Sequence, residues 1–176
     1  MANESEIEMS IKGLAEAIQK ELLARGEMLA TAESLTGGLV ASHIVDIPGS
    51  SAILAGGIVA YQNEIKEALL GVPHQVLEEK GAVSAETVKA MAEGARKKFG
   101  CEWAIATSGI AGPTGAEPGK PVGTVWMAVA NSLQNEAFCK IFEGNRTQVR
   151  EKSVLCVMGK LLFLLNNQKS TCTSEH

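Results

Sequence analysis

The sequence predicts a single-domain three-layer α/β/α fold with a mixed, mostly parallel sheet, and three observations carry that expectation. Segments with helical spacing alternate with short apolar strand-like runs along nearly the whole chain, the pattern of helices layered on a sheet. Residues 51–61, SAILAGGIVAY, form a continuous apolar run that suits a strand buried on both faces. Near the end, two strand-like runs follow one another across a short polar turn, so at least one ladder is antiparallel. The domain is expected over residues 1–166, with residues 167–176 as a frayed tail.

The elements follow in order. Ile7, Ile11, Leu14, Ala15, Ile18, Leu22 and Leu23 recur at intervals of three and four, which predicts a helix over 5–25 stopped at Gly26. EMLATAES reads as a short strand, and residues 39–47 as the next helix, ended by the turn DIPGS. After the apolar run, NEIKEALLGV makes a short helix halted at Gly71 and Pro73, and His74 then stands on a loop. Residues 84–99 form an amphipathic helix opened by Ser84 and closed by Gly100.

CEWAIATS is a strand that runs into GIAGPTGAEPGKPVG, fifteen residues with five glycines and three prolines, which read as a loop. GTVWMAVAN and EAFCKIFEG make the hairpin, and residues 146–165 the closing helix. No internal repeat or linker divides the chain.

Composition excludes several classes of function. The 176 residues are 45% hydrophobic and 20% charged with a net charge of -4, and no basic cluster offers a track for nucleic acid. Cys101, Cys139, Cys156 and Cys172 are scattered without a CxxC pair, and His43, His74 and His176 are isolated, so no protein-only metal site is expected. The acidic start MANESEIEMS lacks the basic region of a signal peptide, and no apolar run reaches the ~20 residues that span a bilayer. A cytoplasmic protein without a membrane partner is the expectation.

In open α/β sheets, ligands sit beyond the carboxyl ends of strands, beside helix N-termini. Three polar segments fall at such places: Glu33-Ser34-Leu35-Thr36-Gly37-Gly38, Tyr61-Gln62-Asn63 with Lys66, and Thr107-Ser108-Gly109. A fourth, Gly144-Asn145-Arg146, opens the last helix. Ser34 admits two readings. It can cap the helix that follows, as can Thr36, by accepting backbone N–H groups two or three residues on. Alternatively, the doubled glycine, which costs a first turn about 1 kcal/mol per residue relative to alanine, leaves backbone N–H groups open to an oxyanion or phosphate. The segment matches neither a Walker A loop, nor GxGxxG, nor the GxSxG nucleophile elbow.

A serine nucleophile needs a base. His43 lies nine residues on, more than two helical turns away. Lys66 serves if burial depresses its pKa, against the alternative of a solvated lysine paired with Glu64 or Glu67. His74 is the substitute base. Tyr61, the one tyrosine of the chain, is either an aromatic at the edge of the core or a phenol that orients a lysine. Arg146 is either a surface residue or a bidentate grip on phosphate or carboxylate.

Together these segments resemble the C-terminal domain of the competence-damage-inducible protein CinA, found also as a stand-alone nicotinamide-nucleotide amidase. The resemblance runs from about residue 10 to 165 and rests on TAESLTGG, DIPGSSAILAGGIVAYQNEIKEALLGV, GAVSAETVKAMAEGA, ATSGIAGPTG, KPVGTVWMAV and the GNR before the last helix. It implies hydrolysis of the carboxamide of nicotinamide mononucleotide to nicotinate mononucleotide and ammonia, with neither metal nor cofactor. Carried over by motif, Ser34 is the nucleophile, Lys66 the base and Tyr61 their supporting hydroxyl. Glu33, Thr36, Gly37, Gly38, Asn63, Thr107, Ser108, Gly109 and Arg146 line the substrate, a small pyridine nucleotide.

The resemblance also implies a homodimer or higher homo-oligomer. Activities that need the fused N-terminal domain of full-length relatives are not expected of this chain. One departure stands out: the family usually has aspartate where this chain has Asn145. A nucleotide-binding or regulatory paralogue that keeps the pocket without turnover is therefore the alternative to an amidase.

Overall fold

A computed structural model describes residues 4–172 of the chain, with the side chains of 6–168. The elements in order are α1 (Glu4–Arg25), β1 (Leu29–Glu33), α2 (Leu39–Val45), β2 (Leu54–Val59), α3 (Asn63–Leu70), α4 (His74–Lys80), α5 (Ala85–Phe99), β3 (Trp103–Gly109), β4 (Thr124–Ala130), β5 (Asn135–Ile141) and α6 (Arg146–Cys172). The sheet has the order β2-β1-β3-β4-β5. β1 pairs in parallel with both β2 and β3, while β4 is antiparallel to β3 and to β5. Only β4 therefore runs against the other four, and the expected mixed, mostly parallel α/β sheet is observed.

The period-two alternation of the strands sorts the core into two layers. On one face Leu29, Trp103, Ile105, Val125, Met127 and Val129 pack against α1, α2 and α6. The other face is built mainly of alanine, with Ala30, Ala32, Ala104, Ala106, Ala128 and Ala130 buried and Trp126 packed beside them. A floor of methyl groups lets α5 lie close, burying Val88, Met91, Ala92 and Ala95 on it. α3 approaches α5 as tightly: a Cβ on Gly94 would stand 1.8 Å from the carbonyl oxygen of Leu70. No helix among the described residues is long and apolar enough to cross a membrane.

Three expectations need correction. The apolar run 51–61 is not a strand buried on both faces: β2 lies at the edge of the sheet, with Gly57 and Val59 exposed. Its apolar character comes from small residues that admit neighbours. A Cβ on Gly56 would stand 2.5 Å from the Phe99 ring, and one on Gly57 would stand 2.4 Å from Thr31 Oγ1. His74 is not on a loop but begins α4, a helix seated by buried Leu77. The last helix continues to Cys172, past the start of the expected tail. Residues 173–176 of that tail lie outside the described residues.

Candidate active site

The carboxyl ends of β1 and β2 are level and β3 runs on to Gly109, because Glu33 stands opposite Val59 on one side and Thr107 on the other. Two further hydrogen bonds carry this alignment past the strand ends. Ser34 N–H donates to Thr107 O at 2.9 Å, and Ala60 N–H donates to Glu33 O at 2.9 Å. Ser34, Tyr61 and Thr107 are thereby gathered along one rim, with neighbouring strands about 4.8 Å apart.

From Ser34 the chain turns sharply into α2. Gly37 N–H returns to Ser34 O at 3.1 Å. Gly37 and Gly38 hold φ of 60° and 96°, a left-handed region open to glycine at little steric cost. The side chain that caps α2 is not that of Ser34. The buried Glu33 carboxylate accepts from Gly38 N–H at 2.9 Å, Val40 N–H at 3.1 Å and Ala41 N–H at 3.0 Å. Three charge-assisted bonds satisfy both the carboxylate and the first turn. Ser34 Oγ has no hydrogen-bond partner among the described residues. Thr36 does not cap either, since its hydroxyl meets that of Thr107 at 2.7 Å, both residues being fully buried.

Lys66 is 1% exposed. The local reason is helical phase, which turns it and Leu70 inward while Glu64 and Leu69 face out. Its Nζ donates to Tyr61 O at 3.1 Å, at the end of β2. Burial pushes the amine below the ordinary lysine range, and the charge of Glu64 only partly opposes that shift. Lys66 thus departs from a solvated surface lysine.

Tyr61 turns its phenol the other way. It is 58% exposed, and its hydroxyl accepts from Arg146 Nη2 at 2.9 Å. Arg146 Nη1 donates to Gly112 O at 3.0 Å, so one guanidinium ties the end of β2 to the glycine-rich loop. The start of α6 that carries it is fixed by a reciprocal pair. Gln148 N–H donates to Asn145 Oδ1, and Asn145 N–H to Gln148 Oε1, each at 3.0 Å.

The remaining expected residues are placed by their own elements. Ser108 alternates to the alanine face, where its hydroxyl donates to Ala82 O at 2.7 Å. Gly109 is a packing glycine, since a Cβ there would stand 2.7 Å from Thr124 O. Asn63 opens α3 as an exposed residue. His74 is 68% exposed, with its ring nitrogens 2.9 Å from Glu67 and 3.2 Å from Glu78. The hydrogen bond to Glu67 raises its pKa. A solvent-facing imidazole held by two carboxylates is a poor base for Ser34.

Arg150 escaped the sequence reading. From α6 its Nε donates to Leu35 O at 3.0 Å and its Nη2 to Thr36 O at 2.8 Å, clamping the turn after Ser34. The available signal was its place four residues after Arg146, on the same helix face. Among the described residues no group of histidine, cysteine and carboxylate side chains is arranged to hold a metal ion.

Comparison with known proteins adds to this geometry. Residues 11–165 match the profile of the CinA C-terminal domain. A CinA-like protein of Anaeromyxobacter sp. (strain K) is 47% identical over 152 residues, which cover 86% of this chain and 37% of that protein. One from Geotalea daltonii is 55% identical over 125 residues, 71% of this chain and 30% of the relative. The match thus spans about a third of the length of these curated relatives. Among solved structures, competence damage-inducible protein A of Klebsiella pneumoniae superposes with a TM-score of 0.86 at 35% identity, covering 89% of this chain and 97% of that one. The competence/damage-inducible protein CihA of Agrobacterium tumefaciens gives a TM-score of 0.85 at 37% identity over 89% and 96% of the two chains.

Proposed function

This chain belongs to the CinA C-terminal domain family, and from that premise we propose that it is a serine amidohydrolase that converts nicotinamide mononucleotide to nicotinate mononucleotide and ammonia. The observation that carries the reading is the buried Lys66 amine, depressed in pKa and tethered to Tyr61 O at the end of β2. That strand pairs with the strand Ser34 follows. Burying a lysine is costly unless its neutral form is used.

In this mechanism Lys66 takes the Ser34 hydroxyl proton as Oγ attacks the carboxamide carbon. The carbonyl π pair moves to oxygen, giving a tetrahedral oxyanion. Collapse breaks the C–N bond, and the Lys66 ammonium returns the proton to the leaving nitrogen, which departs as ammonia. Water, deprotonated by Lys66, then attacks the acyl ester. Collapse expels Ser34 Oγ, which recovers its proton, and frees the carboxylic acid. Arg146 and Tyr61, bonded to each other beside the Gly112 turn, face the nucleotide portion.

The alternative, a binding domain without turnover, rested on Asn145. That residue caps α6 through Gln148, a task aspartate performs equally well, so its structural role alone gives no reason for a loss of turnover. Ammonia release from nicotinamide mononucleotide by the purified protein, with Ser34→Ala and Lys66→Ala as controls, tests the proposal. No release by the wild-type protein above the level of those variants overturns it.

A further inference from the structure

The amidase reading requires donors for the oxyanion, and the turn after Ser34 accounts for its N–H groups one by one. Ser34 N–H bonds Thr107 O, Gly37 N–H bonds Ser34 O and Leu39 N–H bonds Thr36 O. Those of Gly38, Val40 and Ala41 go to the Glu33 carboxylate. Two remain: among the described residues, the N–H groups of Leu35 and Thr36 have no acceptor. Both residues are buried, at 4% and 0% exposure. Backbone donors in buried residues are rarely left without a protein partner, so this pair of N–H groups is free to receive a ligand atom.

The carbonyls of Ser34, Leu35 and Thr36 are all engaged. The peptide joining Ser34 to Leu35 is held by Gly37 N–H on Ser34 O. The next peptide is held by Arg150 Nε on Leu35 O, and the one after by Arg150 Nη2 on Thr36 O. These peptides are trans, so each N–H points opposite to its own carbonyl, and the Thr36 N–H is directed away from Arg150. A cation on the carbonyl end also polarises the peptide and strengthens its N–H as a donor.

We infer that the backbone N–H groups of Leu35 and Thr36 form the oxyanion site for the acyl transfer at Ser34, with Arg150 as the positioning residue that fixes them. The inference rests on the serine amidohydrolase reading and adds to it the groups that stabilise its tetrahedral intermediate. It also separates the two arginines of α6, with Arg146 acting on substrate and Arg150 on the backbone.

The test measures Arg150→Ala and Arg150→Lys, together with a semisynthetic protein in which Thr36 is replaced by its α-hydroxy acid, which deletes that N–H. With nicotinamide mononucleotide, kcat of Arg150→Ala and of the ester variant falls about a hundredfold, the cost of one oxyanion donor, while KM stays within about threefold. Lysine recovers less than about a tenth of the loss, because a single ammonium lacks the planar fork that spans two carbonyls. Added guanidinium at millimolar concentration partly restores Arg150→Ala and leaves the wild type unchanged. A rise in KM with kcat intact in Arg150→Ala, or full kcat in the ester variant, overturns the inference.

A second readout does not depend on the substrate. A fluorophosphonate reacts at an activated serine with its phosphoryl oxygen in the oxyanion position, and Arg150→Ala should label at Ser34 at least about tenfold more slowly than wild type. Equal labelling rates overturn the inference. A wild-type protein that labels at Ser34 and slows in Arg150→Ala, yet releases no ammonia from the nucleotide, upholds the oxyanion site and refutes the proposed substrate. A wild-type protein that neither labels nor hydrolyses refutes both.

Discussion

The carboxylate of Glu33 accepts the backbone N–H of Gly38 at 2.9 Å, and with Val40 and Ala41 it takes up the first turn of α2. The carboxylate thus does what a capping serine would do, and does it with charge assistance. Ser34, next to it, is left without a structural bond through its hydroxyl.

Substitutions at these two neighbours should therefore separate stability from activity. Ser34→Ala leaves the melting temperature within about 1–2 °C of wild type, because no cap is lost, and abolishes ammonia release. Glu33→Ala strands three backbone donors and costs roughly 2–3 kcal/mol of stability, read by urea unfolding. A destabilised Ser34→Ala protein that keeps its turnover would return Ser34 to a capping role.

Lys66 links the same chemistry to pH. Its pKa is lowered in the folded protein, chiefly by burial. Between that lowered value and the unfolded value of about 10.4 the unfolded chain binds more protons, so unfolding free energy rises with pH across this window. Lys66→Met should abolish this slope and raise stability, because it removes the cost of burying an ionisable amine. In catalysis the neutral amine is the active form, so kcat/KM should climb with pH to a midpoint below the ordinary 10.5. Lys66→Arg, which keeps the charge but accepts no proton, should be nearly as inactive as Lys66→Ala. A pH profile with no limb below the ordinary lysine range removes Lys66 from the base role.

Arg146 and Tyr61 form one unit, bonded at 2.9 Å, with Gly112 O completing the arginine's engagement. Removing a charge-assisted contact to the nucleotide should cost about 1.5–3 kcal/mol of binding. Arg146→Ala should thus raise KM for nicotinamide mononucleotide about ten- to hundredfold, and far less for free nicotinamide. Tyr61→Phe frees the guanidinium, so its effect and that of Arg146→Ala should not add in a double-mutant cycle. Equal losses on both substrates would make Arg146 structural.

What the sequence disclosed, and what it did not, follows from the range of the interactions involved. α1 and α5 were legible because each buries one stripe at helical spacing, and Ser84 caps α5 through Thr87 within its own first turn. β2 was misplaced because apolar character alone does not tell an edge strand of small residues from a central strand. α4 was missed because a helix of seven residues with one buried anchor, Leu77, has too few turns to show a period. At the site, Ser34 and Lys66 were recognisable as residue types. The competition for the cap, by contrast, was decided by Glu33, which no capping motif places on the N-terminal side of the turn. The role of Arg150 was not legible, beyond its spacing from Arg146, because its partners are backbone carbonyls 115 and 114 residues earlier. Ser108 was grouped with Thr107 as one polar segment, although strand alternation alone sends the two side chains to opposite faces.

Asn145 supplies the last prediction. Its side chain and that of Gln148 exchange hydrogen bonds with each other's backbone N–H groups at 3.0 Å, closing the start of α6. Gly144 makes room for this exchange: its φ is 127°, and a Cβ there would stand 2.5 Å from Gln148 Oε1. Asparagine and aspartate cap helices about equally well, and aspartate adds a favourable charge at the positive end of the helix. Asn145→Asp should accordingly leave nucleotide KM within about twofold and stabilise the fold by at most about 0.5 kcal/mol. Asn145→Ala strands the Gln148 N–H and should cost about 1 kcal/mol, a fall in melting temperature of about 2–4 °C for a chain of this size. Because Arg146 is the next residue, the alanine variant should also weaken nucleotide binding through a frayed first turn. If Asn145→Asp instead tightened nucleotide binding about tenfold at unchanged melting temperature, the acid would be reaching the ligand, and residue 145 would belong to the substrate site as well as to the helix.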